Sequence, residues 1–70
     1  MEIVVNGEPH HIVPMSVAAF LETVGIDEQR VAVELNLEIL PKADYGSAQL
    51  KEGDRLEVVH FVGGGRGISS

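Results

Sequence analysis

Three consecutive glycines near the C-terminal end are the most distinctive candidate for chemistry in this sequence. Gly63, Gly64 and Gly65 have no side chains, so a chain that ended there could enter a narrow channel and bring its carboxyl group to another protein's active site. The same composition is also typical of a flexible linker. The glycines alone therefore leave two alternatives open, a slender reactive terminus and a linker.

Histidines, carboxylates and serines offer no second candidate. His10 and His11 are adjacent, so in a strand they point to opposite faces and are poorly placed to share a metal ion. His60 is distant in the sequence, and no spacing rule supplies the four ligands of a structural site. The acidic residues occur singly, without the acid and base pair of a hydrolase, and Ser16 is assigned to helix capping. We therefore predict no metal site and no enzymatic activity.

The composition limits the classes of protein to which the chain can belong. Its 70 residues, 44% of them hydrophobic, suffice for one small domain. It has no cysteine, which excludes disulfides, thiolate zinc sites and cysteine nucleophiles. The formal charge of −6 disfavours nucleic acids and anionic membranes and suits either a basic protein partner or simple solubility. Without a transmembrane run or a basic N-terminal region, we expect a cytoplasmic protein.

The first third of the chain predicts a hairpin followed by a helix. Strands at Glu2–Asn6 and His10–Val13 lie on either side of an Asn-Gly turn, which is a strong hairpin signal. Ser16 can cap the helix that follows, at Val17–Val24. The spacing of its apolar residues indicates one buried stripe. The stripe consists of Val17, Phe20, Leu21 and Val24.

The remainder of the chain predicts three further strands. They are Val31–Leu35, Glu38–Leu40 and Arg55–Val62. The first two would be joined by a tight turn at Asn36 and Leu37, although Leu37 is poorly suited to the positive φ that such a turn requires. The segment Lys42–Gly46 is predicted to be a single helical turn or a loop.

The resulting order, β-β-α-β-β-β, is typical of an α+β domain in which one helix covers one face of a mixed sheet. We expect the first and last strands to lie side by side in the middle of that sheet. Residues 1–62 would form the domain, and residues 63–70 a flexible glycine-rich tail. The predicted core consists of Ile3, Val5, Phe20, Leu21, Val33, Leu50, Leu56 and Val58.

Four segments of the sequence together resemble the bacterial sulfur carrier proteins of thiamine biosynthesis. These segments are Ile3–Glu8, the helix at Val17–Val24, Val31–Asn36 and the ending Gly53–Gly65. The resemblance covers residues 1–65, and its most specific element is the run His60–Gly65. Members of that family have the ubiquitin-like β-grasp fold, a mixed sheet with one main helix packed across one face. That fold agrees with the arrangement expected above.

The resemblance implies a carrier and not a catalyst. In the family, an activating enzyme uses ATP to adenylate the terminal glycine, which corresponds to Gly65, with Gly64 beside it. Sulfur from a cysteine desulfurase persulfide then replaces the adenylate, and the resulting thiocarboxylate is delivered to thiazole synthase. The carrier itself would hold no permanent cofactor, because its partner uses the ATP.

An uncovered sheet face would provide the surface for these partners. By strand alternation Val4, Val59 and Phe61 share the face that the helix does not cover. Apolar patches that include an aromatic residue are typical of protein interfaces. We therefore expect partners to bind there and along Val62 and Gly63, which lead into the reactive end.

The five residues after Gly65 depart from the family pattern. The carboxyl group of Gly65 is in a peptide bond with Arg66 and cannot be adenylated in the full chain. Either a processing protease removes residues 66–70, or they are not part of the natural protein, or this member acts differently. A carrier for methionine, cysteine or molybdopterin synthesis and a non-reactive β-grasp binding module remain alternatives.

Overall fold

A short hairpin opens the chain in the computed structural model, which describes residues 1–61. Its strands are β1 (Glu2–Val5) and β2 (Glu8–His11). Asn6 and Gly7 form the turn with φ of 49° and 83°, and because this turn has only two residues, strand pairing resumes directly after it. The predicted second strand, His10–Val13, is therefore wrong in its bounds by two residues.

The single α-helix, α1, spans Val17–Thr23 and begins at the predicted cap. Ser16 Oγ accepts the backbone N–H of Ala19 at 3.0 Å, which satisfies one of the donors left free in a first helical turn. Val24 caps the C-terminal end and is 42% exposed, so its predicted place in the buried stripe is wrong. Within residues 1–61, no helix has the length and apolar character needed to span a membrane.

Three strands and two 3-10 turns make up the remainder of the described fold. The strands are β3 (Val31–Leu35), β4 (Glu38–Leu40) and β5 (Arg55–His60). The first 3-10 turn, Glu28–Arg30, leads into β3. The second, Lys42–Asp44, follows β4 and lies within the predicted helical turn.

The turn between β3 and β4 has the strained conformation expected from its sequence. Asn36 and Leu37 have φ of 54° and 72°, a region that a leucine rarely adopts. The side chain of Asn36 holds the turn in place, since its amide donates to Asp54 Oδ1 and accepts the N–H of Arg55, both at 3.0 Å. The strain at Leu37 is therefore maintained by contacts with the start of β5.

The five strands lie in the order β2-β1-β5-β3-β4. The first and last strands are adjacent and parallel in the middle of the sheet, as predicted, whereas the other neighbouring strands are antiparallel. This mixed sheet, with α1 on one face, confirms the predicted β-grasp arrangement. The C-terminal end of β5 is thereby placed between β3 and the turn that follows β1.

The core lies between α1 and the sheet. Seven of the eight predicted core residues are buried, and Val5 is partly buried against them. Tyr45 is a core residue that the sequence did not predict, because it lies in a segment without periodicity. The buried hydrophobic residues are Ile3, Val17, Phe20, Leu21, Val31, Val33, Tyr45, Leu50, Leu56 and Val58.

Candidate docking face and tail exit

β5 ends at His60, and the next residue, Phe61, is the last that the structure describes. The N–H of Phe61 donates to the carbonyl of Arg30 at 3.0 Å, so the pairing of β5 with the chain before β3 continues for one more residue. The Phe61 ring is 57% exposed. The expectations for Val62 and for Gly63–Gly65 concern residues beyond the described part of the chain and remain predictions.

The sheet face opposite α1 is not covered by any of residues 1–61. Strand alternation places Val59 on this face, 60% exposed, while its neighbour Val58 points into the core at 7% exposure. Ala32 lies directly opposite Val59 in the register of β3 and β5 and is also exposed. The end of β5 therefore carries the exposed apolar surface that the alternation predicts.

Val4 lies on the same face but at a distance from Val59, and its expected role in partner binding stays a prediction. Val4 is half-buried and lies level with Arg55 in the parallel register of β1 and β5. Val59 is four residues further along β5, about 13 Å away at roughly 3.3 Å per residue. The partner of Val4 on its other side is Pro9.

Exposed apolar residues instead extend from Val59 toward β4. Ile39 is 79% exposed and points to the same face, because its register partner is the outward-facing Glu34. Leu37, at the tip of the hairpin, is 82% exposed. The alternation of side chains along β3 and β4 could have predicted that Ala32 and Ile39 face outward. That prediction requires knowing whether the first residue of each strand faces the core or the solvent. We refer to Ala32, Ile39 and Val59, together with Phe61, as the docking face.

Two carboxylates lie within the docking face. Glu34 and Glu57 are directly opposite each other in the register of β3 and β5, an arrangement of like charges that destabilises a sheet. The ion pairs formed among residues 1–61 join Glu2 to His11 and Asp27 to Arg30. The negative charge of the docking face is therefore not neutralised by those contacts.

Along one edge of β5, the side chain of Asn6 makes the hydrogen bonds that a neighbouring strand would otherwise make. β1 ends at Val5, but the side chain of Asn6 continues the pairing, because its Oδ1 accepts the N–H of Val58 at 2.8 Å and its Nδ2 donates to the Val58 carbonyl at 3.2 Å. A single amide thus satisfies both backbone groups of a residue beyond the reach of β1. This contact holds β5 in place three residues before Phe61.

Lys42 lies beside Phe61, on the side of β5 opposite to Asn6. Its ammonium donates to the carbonyl of Val31 at 2.7 Å and to that of Glu28 at 2.9 Å. The same ammonium lies 5.5 Å from the centre of the Tyr45 ring and 5.2 Å from that of Phe61, both within the range of cation–π attraction. Lys42 therefore contacts β3, the first 3-10 turn, the core and the last described residue.

The fold alters the ionisation of Tyr45. Its hydroxyl donates to the carbonyl of Val31 at 3.3 Å. Burial raises the pKa of Tyr45 above its usual value of 10.0, and the negative charge of Glu28 acts in the same direction. The phenol is therefore held in its neutral form, which suits a core residue and not an acid or base catalyst.

Within residues 1–61, the histidines and an open groove beside α1 form no catalytic arrangement. His10 packs edge-on against Phe20, with ring centres 5.8 Å apart, whereas His11 lies 3.4 Å from Glu2 on the opposite face. The groove has a volume of about 400 Å3. Its lining contains carboxylates and apolar groups but no nucleophile or imidazole: Ala18, Ala19, Glu22, Ile26, Asp27 and Glu28.

Comparison with known families gives a match over most of the chain. The model of the ThiS family matches residues 3–65, so it begins at the first core residue of β1 and ends at the third consecutive glycine. The last five residues of the sequence lie outside the match.

Individual relatives agree with this match. A thiazole synthase from Paramagnetospirillum magneticum is 47% identical over 66 residues, 93% of this chain, and the chain spans only 20% of that protein. The sulfur carrier protein ThiS of Bacillus subtilis is 42% identical over 45 residues, which are 64% of this chain and 68% of that protein. The crystal structure of a thiamine biosynthesis protein, ThiS, from Geobacter metallireducens has a TM-score of 0.80 at 32% identity, covering 93% of this chain and all of that one.

Proposed function

Because the chain belongs to the ThiS family, the sulfur carriers of thiamine biosynthesis, we propose that it carries sulfur as a thiocarboxylate on Gly65. The observation that carries this proposal is the extent of the family match, which ends at Gly65. Residues 66–70 would have to be removed first, since the carboxyl group of Gly65 is otherwise an amide carbonyl.

The amino-acid composition supports a sulfur site at the main-chain terminus. Proteins usually carry reactive sulfur on a cysteine thiolate, and this chain has no cysteine. A C-terminal thiocarboxylate needs no side chain at all. Glycine is the residue that best fits a narrow channel close to a reacting carboxyl group, because it has no Cβ.

The chemistry requires activation of the carboxylate by a partner that uses ATP. Attack of the Gly65 carboxylate on the α-phosphorus of ATP would give an acyl adenylate and release pyrophosphate. The terminal sulfur of a cysteine desulfurase persulfide would then attack the acyl carbon and release AMP. Because that sulfur is still bonded to a second sulfur, a thiol must reduce the disulfide to free the thiocarboxylate.

We assign the docking face to contact with the activating enzyme. Its exposed apolar residues include Phe61, which is four residues before Gly65 in the sequence, so binding there would bring the tail close to the partner's active site. Val4 would contribute only if the partner also covers β1, about 13 Å away. Thiazole synthase is the proposed acceptor of the sulfur, supported by the relatives of that name that contain a similar segment. We place these reactions in the cytoplasm.

The proposal is tested by ATP–pyrophosphate exchange with the activating enzyme from the same organism. A protein ending at Gly65 should support exchange, whereas the 70-residue chain should not, because its own terminal residue, Ser70, has a Cβ and lies five residues further on. Gly65→Ala in the shortened protein should bind the enzyme but react poorly. Exchange by neither protein would favour a non-reactive binding module.

A further inference from the structure

We propose that Lys42 is a positioning residue that fixes the direction in which the reactive tail leaves the sheet. The proposal rests on the function assigned above, because the tail matters only if its end reacts. It is supported by the contacts of the Lys42 ammonium with two backbone carbonyls and with the Phe61 ring. Phe61 is four residues before Gly65 in the sequence.

The first step of the argument concerns a backbone group that the sheet leaves without a strand partner. β4 ends at Leu40, which pairs with Val33. The same register would place residue 42 opposite Val31, but Lys42 begins a 3-10 turn and does not continue the strand. The carbonyl of Val31, two residues before Val33, therefore has no partner in β4. Lys42 Nζ occupies that place at 2.7 Å, as a strand N–H would.

The second step concerns how firmly the ammonium is held. Besides the Val31 carbonyl, it binds the Glu28 carbonyl at 2.9 Å and lies near the buried ring of Tyr45. Three parts of the fold thus fix its position: β3, the first 3-10 turn and the core. A lysine with so many partners is far more restricted than a lysine in solvent, whose stem has four rotatable bonds.

The third step concerns the contact between the Lys42 ammonium and Phe61, the residue that precedes the tail. The Phe61 ring lies 5.2 Å from the Lys42 ammonium, and the Phe61 N–H donates a hydrogen bond to the backbone carbonyl of Arg30. The backbone and the side chain of the last described residue are therefore both attached to the β3 side of the sheet. Asn6 holds β5 on its other side, at Val58. The chain is thus oriented before it reaches the glycines.

Preorganisation of the tail should affect KM for the carrier more than kcat. If the tail is already oriented before binding, less conformational entropy is lost when the enzyme binds it. Once the glycines are in the active site, the enzyme itself holds them. Loss of one exposed cation–π contact corresponds to roughly a two- to five-fold change in an equilibrium constant. We therefore expect KM for the carrier to rise by about that factor when Lys42 loses its charge, with kcat nearly unchanged.

Three variants of the protein ending at Gly65 separate positioning from general stability. Lys42→Met retains the apolar stem and removes the charge, whereas Lys42→Arg retains a cation that can donate to both carbonyls and stack on both rings. Lys51→Met removes the other lysine, whose side chain makes none of the hydrogen bonds found within residues 1–61. KM and kcat are measured by ATP–pyrophosphate exchange, and the melting temperature is measured for each variant.

NMR relaxation of the Phe61 amide and ring gives a readout that does not depend on any enzyme. We expect faster motion of Phe61 and a raised KM in Lys42→Met, and wild-type behaviour in Lys42→Arg and Lys51→Met. A lower melting temperature with unchanged Phe61 relaxation and unchanged KM would overturn the proposal and make Lys42 a purely structural residue. If the unmodified protein supports no exchange, the carrier function fails, while the relaxation of Phe61 still decides whether Lys42 orients it.

Discussion

Tyr45 gives the described part of the protein a pH-dependent contribution to stability. Its pKa is raised in the fold by burial, whereas in the unfolded chain it ionises near pH 10. Between pH 10 and the raised pKa, Tyr45 stays protonated in the native state but ionises in the unfolded chain. Its contribution to the free energy of unfolding is therefore fully present below pH 10 and falls as the pH rises further. Because Tyr45 is the only tyrosine and there is no tryptophan, its ionisation can be followed by ultraviolet absorbance.

Replacing Tyr45 with phenylalanine should remove this dependence. Urea unfolding at a series of alkaline pH values should show a steeper loss of the free energy of unfolding in the wild type than in Tyr45→Phe. At neutral pH the variant should lose at most about 1 kcal/mol, since the Val31 carbonyl still accepts from Lys42. Equal slopes for the two proteins above pH 10 would contradict this account of Tyr45.

Leu37 stores strain that can be relieved. It has a φ of 72° and is 82% exposed, so it adopts a left-handed conformation with little burial to compensate. Leu37→Gly should raise the free energy of unfolding by about 0.5–1 kcal/mol, since the left-handed penalty of about 1–2 kcal/mol exceeds the entropic cost of glycine. Leu37→Ala retains the Cβ and serves as the control. A gain in Leu37→Ala equal to that in Leu37→Gly would show that hydrophobic exposure, not φ, is responsible.

At the level of elements, β3, β4 and β5 carry the docking face as defined above. Ile39→Ala and Val59→Ala should each weaken binding of the activating enzyme by about 1 kcal/mol, roughly five-fold in Kd, with the fold intact because both side chains are exposed. Val24→Ala, an exposed site at the end of α1, is the matched control. Isothermal titration calorimetry without ATP measures Kd for the wild type, for these three variants and for Val4→Ala.

Two other binding results would assign the interface with the activating enzyme to a different surface. If Val4→Ala weakened binding as much as Val59→Ala did, the partner would have to cover both ends of the β1–β5 pair. If Val24→Ala alone weakened it, the helix face would be the docking surface and the assignment to β3–β5 would be incorrect.

Most elements could be predicted from the sequence because their signals are local. The Asn-Gly turn, the Ser16 cap and the alternation in β3 each depend on residues only a few positions apart. The burial of Tyr45 could not be predicted in this way, because a 3-10 turn brings it beneath β3 and no periodicity marks it. Local pattern therefore indicates which elements form, but not every strand boundary, as β2 shows, nor every residue that the strands cover.

The candidate site was predicted less completely, since it depends on register. Alternation alone placed Val4 and Val59 on the same face, but the parallel register of β1 and β5 separates them by four residues along β5. The contact of Lys42 with Phe61 joins residues 19 positions apart and requires β4 to end one residue before Pro41. Neither feature has a local sequence signal.

The whole molecule carries a formal charge of −6, and Glu34 and Glu57 add negative charge to its docking face. A basic partner would be attracted by this charge, and salt would screen the attraction. Replacing both residues with glutamine should reduce the salt dependence of association while leaving the fold equally stable or slightly more stable, because two like charges are no longer opposed. Glu22→Gln with Glu28→Gln, beside α1, is the matched control.

Stopped-flow association at two salt concentrations distinguishes these possibilities. If the Glu34 and Glu57 variant and the control lost salt dependence equally, only net charge would matter. If the association rate of every variant matched that of the wild type at both concentrations, electrostatic attraction would have no part in docking.

The central claim, sulfur carried on Gly65, can be tested directly in cells that make the protein. Alkylating the lysate traps any thiocarboxylate, and since the chain has no cysteine, an alkylated acyl sulfur can come only from the terminus. Trypsin cleaves after Arg55 and Arg66, so mass spectrometry of the last peptide identifies its end. We predict the peptide 56–65 with one terminal oxygen replaced by an alkylated sulfur. Finding only the peptide 56–66, in cells that are synthesising thiazole, would contradict the account.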